Sequence, residues 1–306
     1  MNEQYTSQPN NDQRPFKAGF VNIIGNPNTG KSTFLNAMLD YPLAITTPKA
    51  QTTRHRILGI LNGDNYQIVF SDTPGIIRPA YEMQKLMMDN VEEALEDADV
   101  ILLMTEPGDK EIKDEKFLDK LRKARVPVLV LVNKIDQTDQ ARLEEHIEHW
   151  KNLLPQAEVY PISALHRFGL DQVRHRLVEL LPEGAPYFDR DQLTDRNERF
   201  LVSEKIREKI LEYYKKEVPY AVEVVVEEFK EDDRLIRIRA IIYVERETQK
   251  AILIGHKGQA LKRVGTAVRK ELEQLFGKKV YLELFVKVRK DWRKSEHWLR
   301  NFGYKK

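Results

Sequence analysis

The sequence predicts an α/β chain, a doubly wound, mostly parallel sheet followed by a smaller α+β domain. Three observations carry that prediction. A glycine-rich loop sits between an apolar run and a helical pattern in the first half. Three further apolar runs each end in a polar cluster, as parallel strands do when they deliver residues to one edge of a sheet. Beyond a connector with two prolines, the pattern becomes helix, strand, strand, helix, helix, strand.

The first strand, residues 20–24, enters Gly25-Asn26-Pro27-Asn28-Thr29-Gly30-Lys31-Ser32. Two glycines with four residues between them, then Lys and Ser, form a phosphate-binding loop (P-loop). The glycines let backbone N–H groups turn inward around a phosphate chain. Lys31 brings positive charge to the β- and γ-phosphates, and Ser32 offers a hydroxyl to Mg²⁺. Residues 33–39, beginning with Thr33, read as the helix that leaves the loop and adds its positive dipole end.

Residues 66–70 form a second strand running into Ser71-Asp72-Thr73-Pro74-Gly75. Asp72 at its end is placed to reach Mg²⁺ through water, and the Gly75 amide to contact a γ-phosphate. Between these motifs lies Ala50-Gln51-Thr52-Thr53-Arg54, whose Thr53 would complete the Mg²⁺ shell in the triphosphate state. A strand at 126–132 ends at Asn133-Lys134-Ile135-Asp136. Asp136 can accept from both N1 and N2 of guanine, a donor pair that adenine lacks. A site built around that carboxylate rejects adenine, because the carboxylate would be left unpaired. Asn133 is expected at the other edge of the base and the Lys134 stem over its face. A strand at 159–162 ends at Ser163-Ala164, with the Ala164 amide as donor to guanine O6. Four such segments in this order specify a GTPase domain that uses GTP and GDP with Mg²⁺.

The residue after Gly75, where a water-orienting Gln would stand, is Ile76. It cannot hold water by hydrogen bonding, so slow intrinsic hydrolysis is expected, with no certain catalytic residue. Arg78 is the nearest arginine and reads as surface charge. Asn28 is a candidate K⁺ ligand; with backbone carbonyls it would hold a cation where an arginine is lacking.

The chain has 306 residues and no cysteine, which excludes disulfides and thiolate metal sites. No apolar run approaches the length of a membrane span. Residues 1–16 read as a disordered tail, 17–182 as the nucleotide domain, 183–196 as a linker and 197–306 as the second domain. Net charge is +2, but residues 1–195 hold 22 Lys and Arg against 30 Asp and Glu, whereas residues 250–306 hold 16 against 5. So basic an end suggests nucleic acid or an anionic membrane surface.

In the second half the helix at 197–216 precedes strands at 221–227 and 235–244, and helices at 249–254 and 259–276 flank Gly255-His256-Lys257-Gly258. A strand at 280–288 follows. Two helices joined by Gly-x-x-Gly in this order describe a type II KH domain, which clamps single-stranded RNA. The candidate RNA residues are Ile252, Ile254, Gly255, His256, Lys257, Gly258, Lys262 and Arg263, with strand residues such as Ile241 as the opposite wall. Trp292 and Trp298 either stack on bases or cap the core.

These motifs, with the strings Lys49-Ala50-Gln51-Thr52-Thr53-Arg54-His55-Arg56-Ile57, Val244-Glu245-Arg246-Glu247 and Leu282-Glu283-Leu284-Phe285-Val286-Lys287-Val288, closely resemble the Era family of bacterial GTPases. The resemblance spans residues 17–304. It implies a monomeric, cytoplasmic switch that binds the 3′ end of 16S rRNA through the KH groove and assists the 30S subunit precursor, with peripheral association at the inner membrane. It agrees with a hydrophobic residue at Ile76. His256 and Phe285 depart from the commoner Asn and Trp, and neither removes a phosphate or metal ligand. The alternative is an RNA-binding module with an inert nucleotide domain; a transfer-RNA modification GTPase is disfavoured by the KH half and the lack of cysteine.

Overall fold

A computed structural model describes residues 15–304. The first half runs β1 (Lys17–Gly25), α1 (Lys31–Leu39), β2 (Ile57–Asn62), β3 (Tyr66–Asp72), α2 (Glu82–Glu96), β4 (Val100–Thr105), α3 (Glu115–Arg122), β5 (Val128–Val132), α4 (Gln140–Leu153), β6 (Glu158–Pro161) and α5 (Leu170–Leu180). The six strands stand in the order β2-β3-β1-β4-β5-β6, and only β2 is antiparallel to its neighbour.

The strands are continuous apolar runs because both faces of the sheet are covered. Side chains alternate between two clusters. Val21, Ile23, Leu102, Leu129 and Leu131 pack with α1 and α5 on one face. Ile24, Ile101, Leu103, Val128 and Val130 pack with α2, α3 and Trp150 on the other. β2 and β4 add to the four strands expected from the apolar runs. Order reverses between β3-β1 and β1-β4, which opens a crevice at the strand carboxyl ends, where the P-loop lies.

The second half comprises α6 (Glu198–Tyr213), β7 (Glu223–Glu231), β8 (Leu235–Val244), α7 (Glu247–Ile254), α8 (Gln259–Phe276), β9 (Lys279–Val288) and α9 (Glu296–Asn301). Its sheet is β7-β8-β9, antiparallel then parallel. One face is covered by α6, α7 and α8 through Ile206, Ile210, Leu253, Val264, Val268 and Leu272. The α8 bounds match the spacing-based expectation, and Asn197 caps α6 by accepting from Phe200 N at 3.0 Å.

Residues 183–196 are not a free connector. Ile60 N donates to Leu193 O at 2.8 Å and Thr194 Oγ1 to Leu58 O at 2.6 Å, so the segment covers the open edge of β2. Residues 1–14 of the expected tail lie outside the described residues, while Phe16 O accepts from Gly184 N at 3.0 Å. The C-terminal segment bridges the halves: Trp292, Leu299 and Tyr304 share a cluster with Met83, Leu86 and Met87 of α2.

Candidate functional site

The P-loop is set by its contacts as much as by its glycines. Gly30 has φ +94°, and a Cβ there would meet Asn133 Nδ2 at 2.2 Å. Gly75 lies against Pro27, where a Cβ would stand 2.7 Å from Pro27 Cα, so the two phosphate-facing segments touch through backbone. Asn26 is tied to the loop after β4: its Nδ2 donates to Glu111 O at 2.9 Å and its Oδ1 accepts from Lys113 N at 3.0 Å. Thr29 is buried and donates to Asn26 O at 3.0 Å. Its side chain shapes the loop and does not face the ligand space.

These segments enclose a cavity of about 630 Å³, lined among others by Pro27, Asn28, Gly30, Lys31, Ser32, Thr33, Thr53, Gly75 and Lys134. Lys31 is 5% exposed, and its Nζ donates to Asn26 O at 2.7 Å and Gly25 O at 3.1 Å. Burial pushes its ammonium down to about 8, against the pull of Asp72, Asp109 and Glu106. A phosphate chain would supply the counter-charge this buried cation lacks.

Three oxygens converge beside it. Ser32 Oγ donates to Asp72 Oδ2 at 2.6 Å, Thr53 Oγ1 is 3.0 Å from Ser32 Oγ, and Thr53 Oγ1 donates to Asp72 Oδ2 at 3.3 Å. Asp72 Oδ1 is buried without a partner, and burial raises the pKa of this carboxyl despite the Ser32 bond and Lys31. An all-oxygen set of two hydroxyls and a desolvated carboxylate suits Mg²⁺. Thr73 serves the fold instead, its Oγ1 donating to Ile23 O at 2.7 Å. Asn28 is exposed at the cavity rim with φ +68°.

Ile76, which follows Gly75 in the phosphate-facing segment, turns its side chain away from the nucleotide cavity. Its side chain is fully buried in the α2 cluster and its N–H donates to Gly25 O at 3.0 Å. Arg78 is tied to Lys113 O at 3.1 Å, on the surface.

At the base end, Asp136 Oδ1 accepts from Ser163 Oγ at 2.6 Å, and this bond is the main cause of its lowered pKa. The carboxylate therefore stays charged, as a guanine acceptor must. Asn133 has a bracing role besides the expected base contact, for which one Nδ2 hydrogen remains. Its Nδ2 donates to Thr29 O at 2.8 Å and its Oδ1 accepts from Ala164 N at 2.9 Å. It is a buried strut joining the P-loop to the Ser163-Ala164 segment, and the Ala164 N–H expected at O6 is engaged in that strut. Lys134, with φ +62°, leaves Ile135 half-buried and pairs with Glu106. Sequence reasoning missed Glu106 and Leu165, both on the cavity wall. Leu165 is 69% exposed and directly follows Ala164, which is the signal that could have found it.

The second site lies at the α7–α8 turn. Gly255 and Gly258 have φ +70° and +77°, and Lys257 between them has φ +49°. No atom lies within 4 Å of where a Gly258 Cβ would stand, so the turn faces open space. His256, Lys257, Lys262 and Arg263 are exposed, and the Arg263 guanidinium stacks on Tyr213 at 4.2 Å. Ile252 is 50% exposed, whereas Ile254 packs against the core. Ile241 cannot form the opposite wall: it is 1% exposed and alternates with Ala240 and Ile242, which face α6–α8, so it lies on the far face of the sheet. The groove of about 360 Å³ beside Gly258 is walled instead by Leu282 and Leu284 of the edge strand β9. Trp292 is fully buried, its Nε1 donating to Ala221 O at 3.0 Å, and Trp298 packs on Phe302; both cap the core.

The comparisons agree with this geometry. A family model for 50S ribosome-binding GTPases matches residues 20–134, and a KH-domain model matches residues 217–293. The chain is 47% identical over 292 residues to GTPase Era of Syntrophus aciditrophicus, covering 94% of this chain and 95% of that protein. It is 45% identical over 293 residues to GTPase Era of Caldanaerobacter subterraneus, covering 94% and 98%. A crystal structure of an Aquifex aeolicus Era variant bound to GDP·AlF4⁻ superposes with a TM-score of 0.91 at 40% identity, covering 94% and 99%. So does Era in complex with MgGDPNP and nucleotides 1506–1542 of 16S ribosomal RNA, with the same score, identity and coverage.

Proposed function

Because this chain belongs to the Era family of GTPases, and is by that membership a GTP hydrolase with a KH domain, we propose that it is a slow switch on ribosomal RNA. GTP with Mg²⁺ fills the cavity at the P-loop, and the KH half grips the 3′ end of 16S rRNA. Hydrolysis then ends the grip during assembly of the 30S subunit precursor. Lys31 neutralises phosphate charge, Ser32, Thr53 and Asp72 hold the metal, and Asp136 selects guanine. Mg²⁺ when bound neutralises charge on the β- and γ-phosphate oxygens.

The observation that carries the RNA reading is the open turn at Gly258, at the head of a groove that sets Leu261, Leu282 and Leu284 beside Lys262 and Arg269. A sugar-phosphate backbone can lie against such a turn while bases enter the groove. The relative solved with GDPNP and 16S rRNA nucleotides supports the same pairing of ligands. The inert-domain alternative fails on the converged Ser32, Thr53 and Asp72.

With Ile76 turned into the core, no side chain at that position orients water, which supports slow turnover. Asn28 at the rim is our candidate K⁺ ligand; equal turnover in KCl and NaCl would remove it. We place the protein as a monomer in the cytoplasm, with the basic C-terminal half able to meet an anionic inner-membrane surface. Among the described residues, no helix is long and apolar enough to cross a membrane.

The deciding measurement is affinity for an oligomer of the 16S rRNA 3′ end with Mg·GDP and with Mg·GDPNP. Binding is expected to be tighter with GDPNP by roughly 5- to 150-fold, the usual span of coupling between two sites. Equal affinities would sink the switch.

A further inference from the structure

Thr53 lies in a stretch, residues 46–56, that belongs to no helix or strand. Its neighbours on both sides are held by the other half of the molecule. On one side, Thr52 O accepts from Nη2 of Arg207 on α6. On the other, Arg54 reaches out of the segment into the second half. Its Nη1 donates to Val222 O at 2.6 Å, its Nη2 to Tyr220 O at 3.0 Å, and the same guanidinium pairs with Glu223 of β7 at 3.2 Å. Lys49 Nζ donates to Leu211 O and Tyr214 O, at the end of α6.

The anchors are themselves fixed. Arg207 forms a bidentate pair with Glu204, Nε to Oε1 and Nη2 to Oε2, both at 2.8 Å. Tyr304 O–H donates to Glu223 Oε2 at 2.7 Å, and its ring packs on His55 at 4.3 Å between centroids. Arg54 and Arg207 are each 1% exposed. A surface ion pair is worth little, but a buried guanidinium cannot leave its acceptors without stranding charge. The segment around Thr53 therefore cannot shift without disturbing α6 and β7.

We infer that Arg207 and Arg54 are positioning residues for GTP: from opposite sides they hold Thr53 where it can ligate Mg²⁺, so the RNA-binding half completes the metal site of the nucleotide half. The inference rests on the reading of Thr53 as a metal ligand. It goes beyond the switch proposal by naming the contact through which the halves communicate. Linkage makes that contact reciprocal: whatever the second half contributes to Mg·GTP binding, Mg·GTP returns to the second half.

The test uses the full chain. Arg207→Met with Glu204→Gln removes the buried pair together and strands no charge. Arg207→Lys keeps the charge beside Glu204 but loses the fork that also reaches Thr52. If the double variant does not fold, Arg207→Lys and Arg54→Lys carry the test. Three readouts are taken: affinity for Mg·GDP, affinity for Mg·GDPNP, and the rate of tryptic cleavage after Arg56 in nucleotide-free protein.

The expected result is Mg·GDP affinity within twofold of wild type and Mg·GDPNP affinity weaker by about 10-fold, within the usual range of site coupling. Cleavage after Arg56 should be faster. Thr53→Ala should lose the GDPNP preference by at least as much while Arg207 stays anchored. If Thr53→Ala loses that preference and the Arg207 variants keep it within twofold, the positioning role is overturned. If Thr53→Ala itself keeps it, the metal-ligand reading fails first, and the positioning role with it.

Discussion

Single side chains in the nucleotide cavity set two measurable properties. Lys31 is buried against Asn26 O and Gly25 O, and its ammonium is pushed down to about 8. The triphosphate restores a counter-charge, so the bound form keeps the proton. Below pH 8 both states are protonated and this group adds no pH dependence. Above pH 8 the free protein loses the proton that the complex retains. GTP affinity should then fall toward about 10-fold per pH unit, with uptake approaching one proton. Calorimetry at pH 8.5 in buffers of different ionisation enthalpy measures that uptake. Asp136 sets the base. Its carboxylate is kept ionised by the Ser163 hydroxyl. Asp136→Asn presents an amide donor to the guanine donors, and GTP affinity should fall by about 100-fold or more. Xanthosine triphosphate, with an acceptor at C2, should bind the variant better than GTP in a competition assay. Asn133 shows a role that the sequence does not announce. Its type and position suggest a base contact, and its amide also ties Thr29 to Ala164, partners set by the fold.

Among the elements, legibility followed the number of buried faces. Strands β1 and β5 are buried on both faces and stand out as apolar runs that stop at polar motifs. β2 is an edge strand, short and interrupted by Gly59, and residues 183–196 cover its edge; its sequence advertises neither fact. Helices α6, α7 and α8 were legible from spacing and from the glycines that separate the last two. Which strand faces the RNA groove was not. Ile241 and Leu284 are both apolar strand residues, but Ile241 lies on the sheet face away from α6–α8 whereas Leu284 borders the groove on the edge strand. Ile241→Ala should cost about 2–5 kcal/mol of stability in denaturant unfolding and leave RNA affinity unchanged. Replacing both His256 and Lys257 by Asp should do the reverse. Stability should hold, because both side chains are exposed, while affinity for the rRNA oligomer falls at least about 10-fold through phosphate repulsion.

Across the whole molecule, the C-terminal segment and the Thr53 segment hold the halves together. Trp292 donates to Ala221 O in the second half and packs with Met83 and Met87 in the first. Arg293 stacks over Tyr81 of the first half at 5.2 Å while pairing with Glu245 of the second. Trp292→Ala should cost about 3–5 kcal/mol. It should also split one cooperative thermal transition into two by calorimetry; a variant that keeps a single transition would show that the halves are joined elsewhere. The sequence by itself determined the chemistry of each site. A P-loop, an Asn-Lys-x-Asp motif and a Gly-x-x-Gly turn act through residue types at fixed local spacing, and local spacing survives in one dimension. Only the tertiary structure decided which polar side chains serve the ligand and which brace the fold, because that depends on partners more than 100 residues away. Asn133 meets Thr29, Arg54 meets Glu223, and Thr52 meets Arg207 through hydrogen bonds that no periodicity encodes.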